Sequence, residues 1–348
     1  MTKRVEHLYI HIPFCKHICS YCDFVRSVPK CACEVSDYLN KLVVSINNEC
    51  KFLKFKTIYI GGGTPNSLNN TQLSFLLSSL HKYLAKTYEF TIECNPEFIN
   101  QEQINTFKRF KVNRISLGVQ SRNNIVLKDF NRLHTNAVVD NAIKLLQKIK
   151  MNNISVDFIY GYHKMTTKDI DSNIKFILDC HIPHASFYSL ELKPGSKLSK
   201  ANYNLNEELI DKQVAYIIKK FKNNKYKRYE ISNWCINKNY QSQHNMAYWK
   251  TKPWKAFGYG AYGFENMNYY HFDKDKKINH RYSLKEYYQH ILIMGLRMLD
   301  GFDLKDQNNK NAWNYFKNKI DSKLYLIKNN KVIVKDINKL DDILINII

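Results

Sequence analysis

Three cysteines near the start of the chain have the spacing of a metal-cluster ligand set. Cys15, Cys19 and Cys22 follow one another as C-x3-C-x2-C. Three thiolates on one loop can ligate three irons of a cubane iron–sulfur cluster, and the fourth iron then has no protein ligand. That open position favours chemistry or sensing over a structural role. The alternatives are three unrelated thiols or a zinc site, but zinc usually takes ligands in two separated pairs, and the sequence has no second C-x2-C.

Further residues that could hold a ligand stand at the ends of predicted strands. The run Gly61–Thr64 follows the second predicted strand, and consecutive glycines let a ligand approach the backbone closely. Glu93, Gln120 and Asp157 end, or nearly end, later strands, while Arg132 follows the fourth strand. A carboxylate can bind hydroxyls or an ammonium, and an arginine can pair with a carboxylate. Singly each is more often an ordinary polar group, but together they predict one site.

These residues need a scaffold, and short apolar runs alternate with amphipathic stripes over the first half of the chain. Leucines 73, 76, 77 and 80, for example, fall on one helical face. Six βα repeats predict a parallel sheet with right-handed crossovers, as in a partial (βα)6 barrel. Ligands bind at the carboxyl ends of the strands in such sheets. The strand-like runs are Leu8–Ile12, Thr57–Ile60, Phe90–Glu93, Arg114–Val119, Ser155–Tyr160 and Ser186–Leu192.

The composition predicts a globular protein of the cytoplasm. The chain has 348 residues, of which 44% are hydrophobic, enough for a sizeable core. No apolar run approaches the roughly 18 residues of a membrane helix, and no signal peptide precedes the cysteine motif. Nine irregularly spaced cysteines fit a reducing compartment better than a disulfide framework. The net charge of +22 is spread without a dense basic block, which favours a general composition bias over a dedicated anionic partner.

The cysteine spacing and the glycine turn resemble those of the radical S-adenosylmethionine (SAM) proteins. The order of motifs from Tyr9 to Trp249, with a weaker tail at Leu296–Gly301, resembles the oxygen-independent coproporphyrinogen oxidases and their paralogues, the HemW-type heme chaperones. This resemblance implies a 4Fe-4S cluster on Cys15, Cys19 and Cys22. It also implies contacts to SAM from Tyr9, Tyr21, Gly62, Gly63, Thr64, Glu93, Gln120, Arg132, Asp157 and Ser189.

The same resemblance sets the expected fold. It implies an α/β protein with a partial (βα)6 radical SAM barrel over residues 1–200. A smaller, mainly helical or mixed C-terminal domain is expected over residues 201–348. From about Asp303 this second region looks short for the accessory domain of the family, and it is rich in Lys and Asn.

Two branches of the family differ at a few positions. The oxidases have an N-terminal extension and a further cysteine two positions after the third, whereas here eight residues precede Tyr9 and Phe24 occupies the cysteine position. The chaperones have the motif H-N-x-x-Y-W, which here begins at His244 and ends with Tyr248 and Trp249. A histidine can ligate heme iron, and aromatic side chains offer flat apolar surface to a porphyrin. The alternative for His244 is a buried structural histidine beside core aromatics.

These observations predict a heme chaperone that binds a 4Fe-4S cluster, SAM and heme. The expected partners are heme, an acceptor hemoprotein such as a membrane-bound respiratory protein, a second copy of the chain in a homodimer, and a membrane surface by peripheral contact. Whether the chain also turns over a substrate is left open, and the alternative is a coproporphyrinogen III dehydrogenase or another radical SAM oxidoreductase. RNA modification lacks any recognisable RNA-binding segment, so no nucleic acid is expected. The nearby pair Cys31 and Cys33 is read as incidental, as alternative ligands or as redox-sensitive thiols.

Overall fold

Six parallel strands form the centre of the molecule, in a computed structural model that describes residues 4–201 and 203–348. Each strand pairs with the next in chain order, and Leu8 lies opposite Ile58 in the first pair. All six predicted strands are present, so the predicted parallel sheet is confirmed. They are β1 (His7–Ile12), β2 (Phe55–Gly62), β3 (Leu84–Cys94), β4 (Arg114–Gln120), β5 (Ile154–Tyr160) and β6 (His184–Ser189).

Helices connect these strands and bury their apolar stripes against the sheet. Leu73, Leu76, Leu77 and Leu80 are all fully buried, as expected for the core face of an amphipathic helix. The side chain of Asn69 and that of Gln72 form a capping box that fixes where the second helix begins. The connecting helices are α1 (Ala32–Cys50), α2 (Asn70–His81), α3 (Gln101–Arg109), α4 (Asn124–Asp129), α5 (Asn136–Lys148) and α6 (Thr167–Asp179).

The chain after β6 extends this sheet at both edges. Beside β6 lie two short antiparallel strands, and beside β1 lies one parallel strand followed by an antiparallel meander. The sheet of described strands therefore has twelve members and stays open, which fits the predicted partial barrel. The added elements are α7 (Lys197–Lys200), α8 (Glu207–Asn223), β7 (Lys227–Arg228), β8 (Asn233–Cys235), α9 (Gln243–Trp249), β9 (Trp254–Phe257), β10 (Tyr262–Glu265), β11 (Asn268–Asp273) and β12 (Lys276–Arg281).

The last sixty residues build a second, smaller core. Trp313 and Phe316 are buried there, together with Phe302 and Val332 of a separate three-stranded sheet. The predicted smaller C-terminal domain of mixed structure agrees with this core, whereas the division at residue 200 remains a prediction. The elements are α10 (Leu284–Gly295), β13 (Phe302–Asp303), α11 (Gln307–Phe316), β14 (Tyr325–Lys328), β15 (Lys331–Val334) and α12 (Leu340–Leu344).

Membrane crossing by a helix finds no support in the described residues. None of their helices combines the length and the hydropathy that a membrane-spanning segment requires.

Candidate functional site

The three predicted cluster cysteines lie on the loop that follows β1. The hydroxyl of Thr64 donates to the Cys15 sulfur at 3.4 Å, and Nη1 of Arg132 donates to the Cys19 sulfur at 3.6 Å. Burial raises the pKa of Cys15 and raises that of Cys22 to about 11. Burial opposes ionisation of Cys19 as well, but His17 and Arg132 outweigh it and hold the pKa of Cys19 below its ordinary value. Hydrogen bonds and positive charge at the sulfurs suit thiolate ligands of a metal centre.

The glycine turn after β2 packs directly against this loop. Gly62 has a φ of +114°, a conformation that side chains with a Cβ rarely adopt. A Cβ on Gly63 would lie 2.7 Å from the carbonyl oxygen of Phe14 and 3.0 Å from the Cys15 sulfur. Glycine is therefore required here by a close approach of two backbone segments as well as by the turn itself.

Glu93 connects the glycine turn to the next strand. Its carboxylate accepts a hydrogen bond from the Tyr59 hydroxyl at 2.8 Å and another from the backbone N–H of Gly62 at 3.1 Å. Burial raises the pKa of Glu93 to about 7, and the nearby charge of Asp157 adds to that effect. The side chain can therefore change its charge near neutral pH, which few carboxylates do.

Asp157 is held by hydroxyl groups of three adjacent strands. Ser116 on β4 donates to it at 2.8 Å, and Ser155 on β5 lies 3.4 Å from its other oxygen. Burial raises the pKa of Asp157, although its bonds from Ser186 and Ser116 work in the opposite direction. A second acidic group thus stands on the same side of the sheet as Glu93.

Gln120 and Arg132 approach the site from β4 and the segment behind it. Gln120 has a φ of +65°, and the β4–β5 register shifts just before it, so that the strand end is irregular where its side chain reaches the site. Nη2 of Arg132 donates to Asn95 Oδ1 at 2.8 Å and to the carbonyl of Gly118 at 2.7 Å. Its buried Nε finds no partner among the described residues. This leaves the guanidinium with a donor for a ligand.

One cavity of about 650 Å³ brings most of these residues together. Its lining includes the sulfurs of Cys15, Cys19 and Cys22, the glycine turn, the acids Glu93 and Asp157 and the guanidinium of Arg132. This donor set fits an iron–sulfur cluster and a zwitterionic ligand beside it. In the described ranges, no three His, Cys, Asp or Glu side chains are arranged as ligands of a single metal ion. The predicted residues that line the cavity are Cys15, Cys19, Tyr21, Cys22, Gly62, Gly63, Thr64, Glu93, Gln120, Arg132, Asp157 and Ser189.

Tyr9 does not line this cavity. Its hydroxyl lies 3.1 Å from Nδ1 of His11, and its ring stacks on Tyr59 at a centroid distance of 6.1 Å. Tyr59 lines the cavity and was not predicted, although it precedes the glycine turn by two positions and therefore shares a strand face with Gly61. Asn95 and Gly118 also line the cavity, and neither was predicted as a site residue.

The H-N-x-x-Y-W motif lies on α9, behind the cavity wall. His244 is buried and stacks on Tyr59 at 5.1 Å, so that one ring separates this histidine from the cavity. Its Nδ1 is 2.6 Å from Thr57 Oγ1, and its Nε2 is 2.7 Å from the Tyr248 hydroxyl. Burial lowers the pKa of His244 well below its ordinary value. In this conformation both ring nitrogens are engaged, and the histidine is closed to a metal ion.

Trp249 is held by a different contact, which reaches the C-terminal region. The guanidinium of Arg297 lies 3.6 Å from the centre of the indole ring, a cation–π contact. Nε of Arg297 also donates to Glu230 at 3.0 Å, and Glu230 is fully buried. Arg297 of the weaker sequence motif at Leu296–Gly301 thus contacts the last residue of the H-N-x-x-Y-W motif.

Comparison with known proteins places the chain in a family. Residues 9–177 match the model of the Radical SAM superfamily. Heme chaperone HemW of Lactococcus lactis is 32% identical to the chain, and the match covers 89% of this chain and 86% of that protein. The chain belongs to the HemW family. HemW of Bacillus subtilis is 34% identical over 75% of this chain and 71% of its own length, and HemW of Escherichia coli is 30% identical over 74% and 69%.

A solved structure supports the fold over the whole chain. Coproporphyrinogen III oxidase (HemN) from Escherichia coli, described as a radical SAM enzyme, superposes with a TM-score of 0.83. The superposition covers 99% of this chain and 90% of that one at 17% identity, so it bears on the fold alone. The predicted radical SAM fold with a C-terminal extension is confirmed. Membership of the superfamily implies a 4Fe-4S cluster and SAM.

Proposed function

We propose that this protein binds heme and delivers it to an acceptor hemoprotein. The observation that carries the proposal is the match to relatives named heme chaperones over nearly the whole chain. The H-N-x-x-Y-W motif at His244 supports the same function. So does Phe24, which stands where the oxidases have their additional cysteine.

The cavity is proposed as the site of the 4Fe-4S cluster and SAM. Cys15, Cys19 and Cys22 would hold three irons, and the open fourth iron would supply a binding position for SAM and an electron. Arg132 has an unpaired buried donor for a carboxylate, and Glu93 presents an acid beside the glycine turn. We infer that these groups orient SAM and exclude water from it, in support of heme transfer or its redox gating.

The H-N-x-x-Y-W motif is proposed as part of the heme site. Ligation of heme iron by His244 would require the Tyr248 hydroxyl to leave Nε2, which it contacts at 2.7 Å. Such an exchange would open the pair His244 and Tyr248 while Thr57 still holds Nδ1 in place. A movement of His244 on heme binding would then alter the cavity through Tyr59, because Tyr59 contacts both His244 and Glu93.

The acceptor is proposed to be a hemoprotein at a membrane, reached by peripheral contact. The net charge of +22 would favour association with an anionic lipid surface at low ionic strength. A homodimer and a cytoplasmic location are proposed as well. Vesicle flotation of the purified full chain tests the membrane contact, and gel filtration tests the homodimer.

Heme titration of the anaerobically reconstituted protein tests the proposal. We expect saturable one-to-one binding, read from the Soret band. Phenylalanine at position 244 keeps the ring but removes both nitrogens, so His244→Phe should alter the Soret spectrum. Tyr248→Phe frees Nε2 of His244, so it should keep or strengthen binding. Absence of specific binding in wild type, together with SAM-dependent oxidation of coproporphyrinogen, would replace this proposal by the enzyme alternative.

A further inference from the structure

A disulfide joins Cys31 and Cys33, beside the proposed cluster site but outside it. Only Ala32 separates the two residues, and both are exposed. The pair lies at the start of α1, where the Cys31 sulfur accepts a hydrogen bond from the backbone N–H of Glu34 at 3.3 Å. The remaining cysteines of the described residues are free thiols. This pair therefore differs from them in redox state and in access to solvent.

Residues of the disulfide pair and of the cluster loop line the same small cavity. A second cavity of about 210 Å³ is lined by Cys15 and Lys16 of the cluster loop and by Cys31 and Val35 at the start of α1. Gln72 of α2 also lines this cavity. Cys15 lines both this cavity and the larger one, so a change at the first turn of α1 would alter the surroundings of Cys15.

The first turn of α1 is also fixed from α2. The side-chain amide of Gln72 donates to the carbonyl of Ala32 at 3.0 Å and to the Ser36 hydroxyl at 3.1 Å. These bonds hold the residue between the two cysteines. Gln72 of α2 thus holds part of the first turn of α1, and the disulfide adds a covalent constraint to the same turn.

The position of the pair favours reaction with an external thiol. Exposure of both sulfurs gives an incoming thiolate access, which buried disulfides lack. The backbone N–H at the helix start stabilises a thiolate on Cys31, so Cys31 is the better leaving group and Cys33 the sulfur that is attacked. The few disulfides that form in a reducing compartment are usually transient and are catalytic or redox-sensing.

We propose that Cys31 and Cys33 form a thiol–disulfide exchange site whose partner is a cellular thiol or dithiol. An external thiolate attacks the Cys33 sulfur, releases Cys31 as a thiolate and forms a mixed disulfide with Cys33. A second external thiolate then attacks the external sulfur of that mixed disulfide and releases Cys33 as a thiolate. Two external thiols thereby lose two electrons and become a disulfide, while Cys31 and Cys33 gain those electrons and two protons. An external disulfide reverses the reaction.

Because Cys15 and Cys31 line the same cavity, we expect the state of the pair to affect the stability of the cluster. This expectation rests on the proposed cluster on Cys15. The closed disulfide holds the first turn of α1 in the form that lines the second cavity. The dithiol removes that constraint. We therefore expect the cluster to lose iron faster when the pair is reduced.

Mass spectrometry of the full chain tests the exchange itself. Trypsin cleaves after Lys30 and Lys41, and the released peptide contains Cys31 and Cys33 without any cluster cysteine. The protein is equilibrated with mixtures of reduced and oxidised glutathione, then quenched in acid and alkylated. The glutathione ratio that is varied is the square of the reduced concentration divided by the oxidised concentration. The dithiol-to-disulfide ratio should rise in direct proportion to the glutathione ratio, as a two-electron couple requires. A pair that stays wholly oxidised or wholly reduced throughout, or that forms only mixed disulfides, would overturn the proposal. Cys180, a free thiol, is the internal control and should form mixed disulfides alone.

Iron release to a chelator tests the link to the cluster. The loss of cluster absorbance is followed in protein with the pair oxidised and with the pair reduced. We expect about fivefold faster loss in the reduced state, which corresponds to a barrier to iron release that is lower by about 1 kcal/mol. The double variant Cys31→Ser/Cys33→Ser should give one rate under both conditions, whereas Cys180→Ser should retain the difference. Equal rates in wild type would contradict the link and leave the exchange to be judged by the peptide.

Discussion

Replacement of His244 separates its structural role from any role as a heme ligand, because the structural role is measurable without heme. His244 is buried and neutral at pH 7, since burial lowers its pKa well below the ordinary value. Its two nitrogens contact Thr57 and Tyr248, and its ring stacks on Tyr59. We expect the heme-free variant His244→Ala to be clearly less stable than wild type.

The magnitude follows from the contacts that are lost. Alanine leaves the Tyr248 hydroxyl without its partner, which costs about 1–3 kcal/mol for a buried group. Thr57 keeps a second contact, because Nδ1 of His7 lies 3.0 Å from its hydroxyl. Loss of the packed ring and the resulting cavity add about 2 kcal/mol. The free energy of unfolding should therefore fall by about 3–5 kcal/mol.

Urea unfolding of the apo-protein, followed by tryptophan fluorescence, measures this loss. A decrease of 3 kcal/mol corresponds to a midpoint shift of about 1 M at an m-value of about 3 kcal/mol per M. Tyr248→Phe removes only the hydroxyl and should cost about 1–2 kcal/mol. The control is His280→Ala, because His280 is exposed and its ion pair with Glu286 lies at the surface, so its effect should stay below about 1 kcal/mol. A loss below 1 kcal/mol in His244→Ala would refute the argument that this histidine supports the cavity wall.

Three further perturbations test the site and its surroundings. In Gly63→Ala the added Cβ would meet Cys15 and a backbone oxygen, so the reconstituted variant should bind less iron per chain than wild type, and full iron content would contradict the close approach. Because burial raises the pKa of Glu93 to about 7, the affinity for SAM should rise about tenfold from pH 6 to pH 8 as the carboxylate forms, measured by equilibrium dialysis; the same rise in Glu93→Gln would exclude Glu93 as its cause. Burial lowers the pKa of His290 to about 4, so its contribution to stability is present above pH 6.5 and is lost as the pH falls towards 4, by about 3 kcal/mol. Urea titrations at pH 7 and pH 4.5 should therefore show a smaller acid loss in His290→Phe, and an unchanged loss would contradict this assignment.

The strands could be predicted because each is a short buried run whose apolar pattern is local. Ile58 and Ile60 of β2 are both fully buried, as a strand in the middle of a parallel sheet requires. The extension of the sheet by β9–β12 could not be predicted, because it depends on pairing between β1 and a strand almost 250 residues later. A smaller C-terminal domain was predicted, but the residues of its core were not. Trp313 and Phe316 stand in a Lys- and Asn-rich segment without any motif.

The candidate site divides in the same way. Residues at strand ends could be predicted because the carboxyl ends of parallel strands meet at one edge. A buried His244 beside aromatic side chains was one of the two alternatives, but its partner Thr57 could not be predicted, since it is 187 residues away in the chain. Arg297 likewise meets Trp249 and Glu230 only in the folded molecule. A motif specifies which residue types are present, whereas the fold decides which of their atoms are free.

Transfer of heme to an acceptor is the measurement that tests the proposed function most directly. The reconstituted, heme-loaded chain is mixed with an excess of an immobilised apo-cytochrome, and the Soret bands of both fractions are followed after separation. We expect heme to leave the chain and to appear in the acceptor in equal amount, with no change in the porphyrin. Heme that stays on the chain, or a chain that instead oxidises coproporphyrinogen while cleaving SAM, would contradict it.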